Sequence, residues 1–297
     1  YYTDGTQSAW LTSEMQESVH NHGTGCTLSA AIAAALALEY EPLDAIVLAK
    51  AYVNQGLREA EPIGKGRGPL YHGDWPSRPD DLPWLTDTAE EGRSQPLFPS
   101  CDDPVIGLYP VVDRLGWVER LADLGVRTIQ VRIKDMQREA LERELARCVE
   151  FARDRSVNLY INDYWELAIR LGAYGVHLGQ EDLSGEAVQA LADAGLRLGI
   201  SAYRYSDVAR AWAYTPSYIA LGSIFPSGSK DVGRLPLGME AFRVMRRLVP
   251  TPTVAIGGIT LETAPLLIDA GADGLAVIAD ICGADNLEER VRQWEAL

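Results

Sequence analysis

The residues of this chain best suited to chemistry fall at the ends of apolar segments. In Gln130-Val131-Arg132-Ile133-Lys134 polar and apolar side chains alternate, so a strand puts Gln130, Arg132 and Lys134 on one face and Val131 and Ile133 on the other. An amide and two cations on one face form a donor set for an anion, phosphate above all. Asn162-Asp163 closes a later apolar run, and Asp182 follows another in His177-Leu178-Gly179-Gln180-Glu181-Asp182. Two carboxylates beside phosphate donors are hard-oxygen ligands of the kind Mg2+ takes, its remaining positions filled by water and substrate oxygens. Taken singly, each aspartate is as readily a helix cap or a turn residue. Their common placement with the basic triplet points to a metal. His177 lies within its apolar run, where a core histidine with a satisfied hydrogen bond is the expectation, and Glu181 reads as a loop residue.

The elements that must position these groups repeat. Apolar runs at 105–112, 128–134, 158–163, 175–179, 197–203, 218–225, 252–258 and 274–280 read as strands, and a segment of helical period follows nearly every one. Eight strand–helix units close a (β/α)8 TIM barrel, whose strands carry catalytic groups at their C-terminal ends. About 190 residues is lean for that fold, so its loops must be short. A last helix near Asn286 to Trp294 closes the ring.

Further polar positions fall at the same ends. Ser201 ends the fifth strand with a hydroxyl suited to a phosphate oxygen. The loop after the sixth, Phe225-Pro226-Ser227-Gly228-Ser229-Lys230, offers hydroxyls, a pliant backbone and a cation. Ile256-Gly257-Gly258-Ile259 and Ile278-Ala279 follow the seventh and eighth strands, where barrel enzymes often bind phosphate. Glycine there lets the backbone approach the oxygens.

Composition bounds the function. A net charge of −15 argues against a nucleic-acid partner and makes Arg132, Lys134 and Lys230 stand out. No apolar run approaches a membrane span and nothing at the start reads as a signal peptide. Cys26, Cys101, Cys148 and Cys282 are scattered without metal-ligand spacing, so reduced thiols in a cytoplasmic protein are expected.

The first hundred residues differ. Asp4-Gly5 reads as a hairpin turn, His22-Gly23-Thr24-Gly25-Cys26-Thr27 leads into an alanine-rich helix from about 28 to 39, and a second helix covers about 43 to 60. A Gly-x-Gly turn feeding a helix gathers backbone N–H groups and the positive end of the helix dipole. The segment starts within a strand and without methionine, which suggests the tail of a larger domain. Residues 74–104, rich in proline and acid through Trp75-Pro76-Ser77-Arg78-Pro79-Asp80-Asp81, read as a linker.

On these motifs, residues 105–297 resemble thiamine-phosphate synthases over their whole length. Residues 1–73 resemble the C-terminal part of hydroxymethylpyrimidine phosphate kinases, of the ribokinase-like fold, through Asp4-Gly5, Gly23-Thr24-Gly25-Cys26-Thr27-Leu28-Ser29 and Gly64-Lys65-Gly66-Arg67-Gly68-Pro69-Leu70. The expected architecture is therefore α/β, a TIM barrel preceded by a partial ribokinase-like segment. The resemblance implies that hydroxymethylpyrimidine pyrophosphate and hydroxyethylthiazole phosphate join, with Mg2+, to give thiamine phosphate and pyrophosphate. It assigns Gln130, Arg132 and Lys134 to the pyrophosphate, with Val131 and Ile133 among the substrate contacts. Asn162 goes to the pyrimidine, Asp163 and Asp182 to the metal, and Ser201 to substrate. Ser227, Gly228 and Ser229, with Gly258, Ile278 and Ala279, take the thiazole phosphate, and Lys230 reaches the pyrophosphate. Arg132, Lys134 and Lys230 hold the charge of the leaving group.

Three departures from the family pattern bear on affinity. Serines 227 and 229 replace the usual threonines, Ala279 replaces a common serine, and Tyr203 stands where histidine is frequent. Cys26 matches the position of the catalytic aspartate of related sugar kinases. The segment is nonetheless expected to be inactive, because the nucleotide-binding strands of that fold are not in the sequence. A homo-oligomer or an upstream kinase domain are the protein partners left open. Two other functions stay open as well: a thiazole tautomerase, which needs no metal–diphosphate site, and a non-catalytic scaffold that binds thiamine precursors.

Overall fold

Along the chain the elements are β1 (Tyr2–Thr3), β2 (Ser8–Thr12), α1 (Thr24–Ala37), α2 (Pro42–Arg58), β3 (Trp84–Thr86), β4 (Gly107–Val112), α3 (Leu115–Asp123), β5 (Thr128–Val131), α4 (Arg138–Asp154), β6 (Asn158–Asn162) and α5 (Trp165–Leu171). There follow β7 (Gly175–Leu178), α6 (Gly185–Asp193), β8 (Arg197–Ala202), α7 (Tyr205–Ala213), β9 (Tyr218–Gly222), α8 (Gly238–Leu248), β10 (Thr253–Ile256), α9 (Ala264–Asp269), β11 (Gly274–Val277), α10 (Ala279–Cys282) and α11 (Leu287–Glu295). The computed structural model describes residues 1–89, 98–226 and 235–297. The chain divides into one unit of Tyr1–Gln95, Arg204–Thr215 and Arg247–Pro250 and another of Pro96–Tyr203, Pro216–Arg246 and Thr251–Leu297.

In the first unit, Asp4-Gly5 makes the expected turn. Asp4 accepts from the backbone N–H of Thr6 and Gln7, and Gly5 takes φ +89°, a conformation glycine adopts at little cost. Strands β1 and β2 pair antiparallel, and β3 continues the sheet against β2. Strand β3 lies within the span read as a linker. Asp81 accepts a two-pronged ion pair from Arg58 of α2, at 2.9 and 2.7 Å, and its carbonyl accepts from Asn54. Leu82 and Leu85 are buried beyond it. The proline-rich composition reports a chain that turns often, and its first part is held to α2 through Arg58 and Asn54. Helix α7 groups with this unit: Asp44 of α2 accepts from the Ser206 N–H at 2.9 Å, and Tyr40 packs edge-on against Tyr205.

In the second unit β4 to β11 form a closed, all-parallel barrel in chain order, β11 pairing back onto β4. All eight expected strands are present, each shorter than expected by one to three residues, β10 at both ends. The interior holds Tyr109, Tyr160 and Tyr218, with ring centroids 5.3–5.9 Å apart. Such rings fit because small residues face them. A Cβ on Gly199 would lie 2.1 Å from the Tyr218 ring, and one on Gly175 2.5 Å from Tyr160. Among the described residues, no helix is long and apolar enough to cross a membrane.

Candidate active site

The C-terminal ends of β5, β6 and β7 assemble the groups singled out in the sequence. Strand β5 alternates as expected: Gln130 is turned into the barrel and buried, while Val131 and Ile133, each 1 % exposed, lie on the opposite face. Any contact from Val131 or Ile133 to a ligand at the barrel mouth therefore comes from backbone, not side chain. Exposure rises along the polar face, from Gln130 at 4 % through the half-buried Arg132 to Lys134, whose side chain is 47 % exposed. Gln130 therefore sits deepest of the three, and its amide donates to the Tyr109 hydroxyl at 3.2 Å. Arg132 is tied into the sheet by its N–H on the Val112 carbonyl.

Asn162, the last residue of β6, is buried opposite His177 of β7. Asp163 follows with φ +66°, a left-handed conformation that aspartate tolerates better than most residues. Its N–H donates to the His177 carbonyl at 3.0 Å, and its carboxylate pairs with the Lys134 ammonium. Asp182 ends a single 3-10 turn, Gln180–Asp182, whose Gln180 side chain donates to the Ser201 carbonyl at 2.7 Å. The Asp182 carboxyl is pushed above the usual range, first by burial and then by the negative charges of Asp163 and Glu181. Asp182 thus feels the negative charge of Asp163, and the Lys134 ammonium partly offsets it. The donors are all oxygen, which suits Mg2+, an ion that takes one or two carboxylates and leaves its other positions to substrate and water.

On the other side of the mouth, Ile256, Gly257, Gly258, Ile259, Ile278 and Ala279 line a cleft of about 380 Å3. The two glycines are demanded twice over. Gly257 and Gly258 take φ +100° and +65°, and a Cβ on Gly258 would lie 2.5 Å from the Pro226 carbonyl oxygen. Ala279 opens the short helix α10, whose first carbonyl, that of Ile278, accepts from the Cys282 N–H. The N–H groups of such a first turn have no partner within their helix, so a phosphate can take them. Ser227, Gly228, Ser229 and Lys230 lie outside the described residues. Tyr203 is described, and its hydroxyl donates to the Leu235 carbonyl.

His177 proves to be a core residue with satisfied hydrogen bonds, as its place in an apolar run suggests. Its partners, Tyr218 and Ser201, were not legible: they come from β9 and β8, and nothing in the spacing links them to β7. Tyr109 was missed for the same reason. In the first unit, Cys26 is exposed in the first turn of α1, after Gly23 at φ +86°.

Comparison with known proteins agrees with this geometry. The family model for thiamine monophosphate synthase matches residues 108–281, and that for phosphomethylpyrimidine kinase matches residues 1–71. A thiamine-phosphate synthase of Shigella sonnei is 48 % identical over 194 residues, which cover 64 % of this chain and 90 % of that protein. One from Citrobacter koseri is 45 % identical over 204 residues, 68 % of this chain and 96 % of the relative. Among solved structures, a thiamine phosphate pyrophosphorylase of Pyrococcus furiosus superposes with a TM-score of 0.58 at 27 % identity, over 65 % of this chain and 95 % of that one. With the family model matched over more than half of its length and the closed eight-stranded barrel in place, the chain belongs to the thiamine monophosphate synthase family.

Proposed function

We propose that the barrel is a transferase that joins hydroxymethylpyrimidine pyrophosphate to hydroxyethylthiazole phosphate, giving thiamine phosphate and pyrophosphate. The observation that carries this reading is the meeting of Lys134 with Asp163 at the strand ends, within the field of Asp182. A cation next to two carboxylates suits a diphosphate that arrives with its own metal. Asp163 and Asp182 would hold Mg2+, which when bound neutralises charge on the departing diphosphate. With Asp163 holding the metal, Lys134 would be left to bind the diphosphate oxygens.

The chain's own residues then act electrostatically. Arg132, Lys134 and Lys230 stabilise pyrophosphate as the carbon–oxygen bond breaks and the electron pair leaves with it. The pyrimidine-methyl cation that remains is held by Asn162 and, deeper in the barrel, by Gln130 and Ser201. The lone pair of the thiazole nitrogen forms the new carbon–nitrogen bond. Gly258 and the backbone of Ile278 and Ala279, with Ser227, Gly228 and Ser229, hold the thiazole phosphate. Cys26 belongs to the other unit and has no part in this reaction.

Mixing both substrates with MgCl2 and following pyrophosphate release tests the proposal. Turnover that needs both substrates and is abolished by EDTA supports it. Binding without turnover would favour a scaffold, and isomerisation of the thiazole alone would favour a tautomerase.

A further inference from the structure

Five buried or half-buried side chains from five strands form one hydrogen-bonded chain across the barrel. The Gln130 amide nitrogen donates to Tyr109 Oη at 3.2 Å, and Tyr109 Oη meets Tyr218 Oη at 2.9 Å. Tyr218 Oη lies 2.8 Å from His177 Nδ1, and His177 Nε2 lies 2.7 Å from Ser201 Oγ. The two ends, Gln130 and Ser201, stand on β5 and β8, on different parts of the barrel wall.

One assignment of the protons runs in a single direction along the whole chain, each buried hydroxyl placing its one hydrogen on the next member. Burial pushes both tyrosine hydroxyls above their usual range, so each remains a neutral O–H with one hydrogen to donate. In this assignment Tyr109 accepts from Gln130 and donates to Tyr218. Tyr218, having accepted, donates to Nδ1 of His177. The imidazole proton is then on Nε2, where it donates to Ser201 Oγ. Ser201 has accepted in its turn, and its own hydrogen is the one the chain turns outward. At the far end the Gln130 amide gives one N–H to Tyr109 and keeps its oxygen as an acceptor.

We propose that His177 is a positioning residue, fixed as the Nε2–H tautomer by Tyr109 and Tyr218, which makes Ser201 a hydrogen-bond donor while Gln130 serves as an acceptor. Such a pair selects a heteroaromatic ring that carries an acceptor nitrogen and an exocyclic amino group. This rests on the reading above, in which an aminopyrimidine occupies the barrel, and adds the device that sets the polarity of its recognition. A buried chain of this kind is strong when every member is satisfied and costly when one is cut.

Nitrogen-15 NMR of the histidines in the full-length protein tests the tautomer directly, the His177 signals being assigned by their loss in His177→Gln. A neutral ring protonated on Nε2 at pH 7 is expected; an Nδ1–H tautomer or an imidazolium would overturn the proposal. Kinetics test the consequence. His177→Leu should raise the KM for the pyrimidine diphosphate about tenfold with the thiazole phosphate KM unchanged, while His177→Gln, which keeps an N–H toward Ser201, stays within about threefold of the parent. Equal shifts in both KM values, or no shift in His177→Leu, would overturn it. A parent protein that makes no thiamine phosphate would defeat the proposed reaction, and the tautomer measurement would still decide the polarity.

Discussion

Lys134 and Asp163 form an ion pair between the C-terminal ends of neighbouring strands β5 and β6, ammonium against carboxylate. In the proposed reaction Asp163 would hold the metal and Lys134 would bind the diphosphate, so the pair would not persist with substrate bound. Lys134→Met should therefore lower kcat about a hundredfold, the scale of one lost transition-state donor, with a smaller rise in the pyrimidine diphosphate KM. Steady-state kinetics with each substrate varied check this. An effect confined to the thiazole phosphate KM would move Lys134 to the other substrate.

Asp163→Asn and Asp182→Asn should each remove most activity and leave the fold intact, since asparagine keeps the volume and tolerates the left-handed backbone at 163. In metal-free buffer Asp182→Asn should melt about 1–2 °C above the parent, because it removes a carboxylate that burial and Asp163 disfavour. Calorimetry in EDTA gives the sign.

Gly258→Ala should cost about 2 kcal/mol, from the left-handed backbone and the contact with the Pro226 carbonyl. The thiazole phosphate KM should rise about tenfold while the pyrimidine diphosphate KM holds. Denaturant melts and kinetics on one preparation separate the two effects.

Asp44 offers a pH test in the first unit. Burial pushes its carboxyl above the usual range, against the opposing hydrogen bond from Ser206. A raised folded-state value means that the folded chain holds the proton more tightly than the unfolded one. The resulting stabilisation is complete below the ordinary carboxylate range and is lost as pH rises through the folded-state value. Asp44→Asn removes this loss, so its melting temperature minus the parent's should grow from pH 3.5 to pH 7. A difference that shrinks over that range would contradict the assignment.

Much of this architecture is legible in the sequence because a parallel barrel writes each strand as a local apolar run. The alternation in Gln130 to Lys134 and the carboxylates at strand ends are likewise local signals. What could not be read is what several strands build together. Tyr109, Tyr218, His177 and Ser201 meet only when β4, β9, β7 and β8 close around them. Strand β3 was hidden for a related reason, since Trp84-Leu85-Thr86 is too short to show a period and owes its place to β2 and to Arg58 and Asn54 nearby. The motif at 227–230 falls outside the described residues.

Cys26 is the motif that the proposed reaction leaves aside. Cys26→Ser should keep synthase turnover within about twofold, while a thiol reagent should label Cys26 well before Cys148, which is buried and whose pKa is pushed up to about 12. Peptide mapping after brief alkylation checks the order.

The most direct measurement is the stoichiometry of a single reaction mixture. With hydroxymethylpyrimidine pyrophosphate, hydroxyethylthiazole phosphate and MgCl2, the chain should form thiamine phosphate and pyrophosphate in equal amounts, and none of either when one substrate or the metal is withheld. Pyrophosphate without thiamine phosphate, or product formation that survives Asp163→Asn at full rate, would contradict the account.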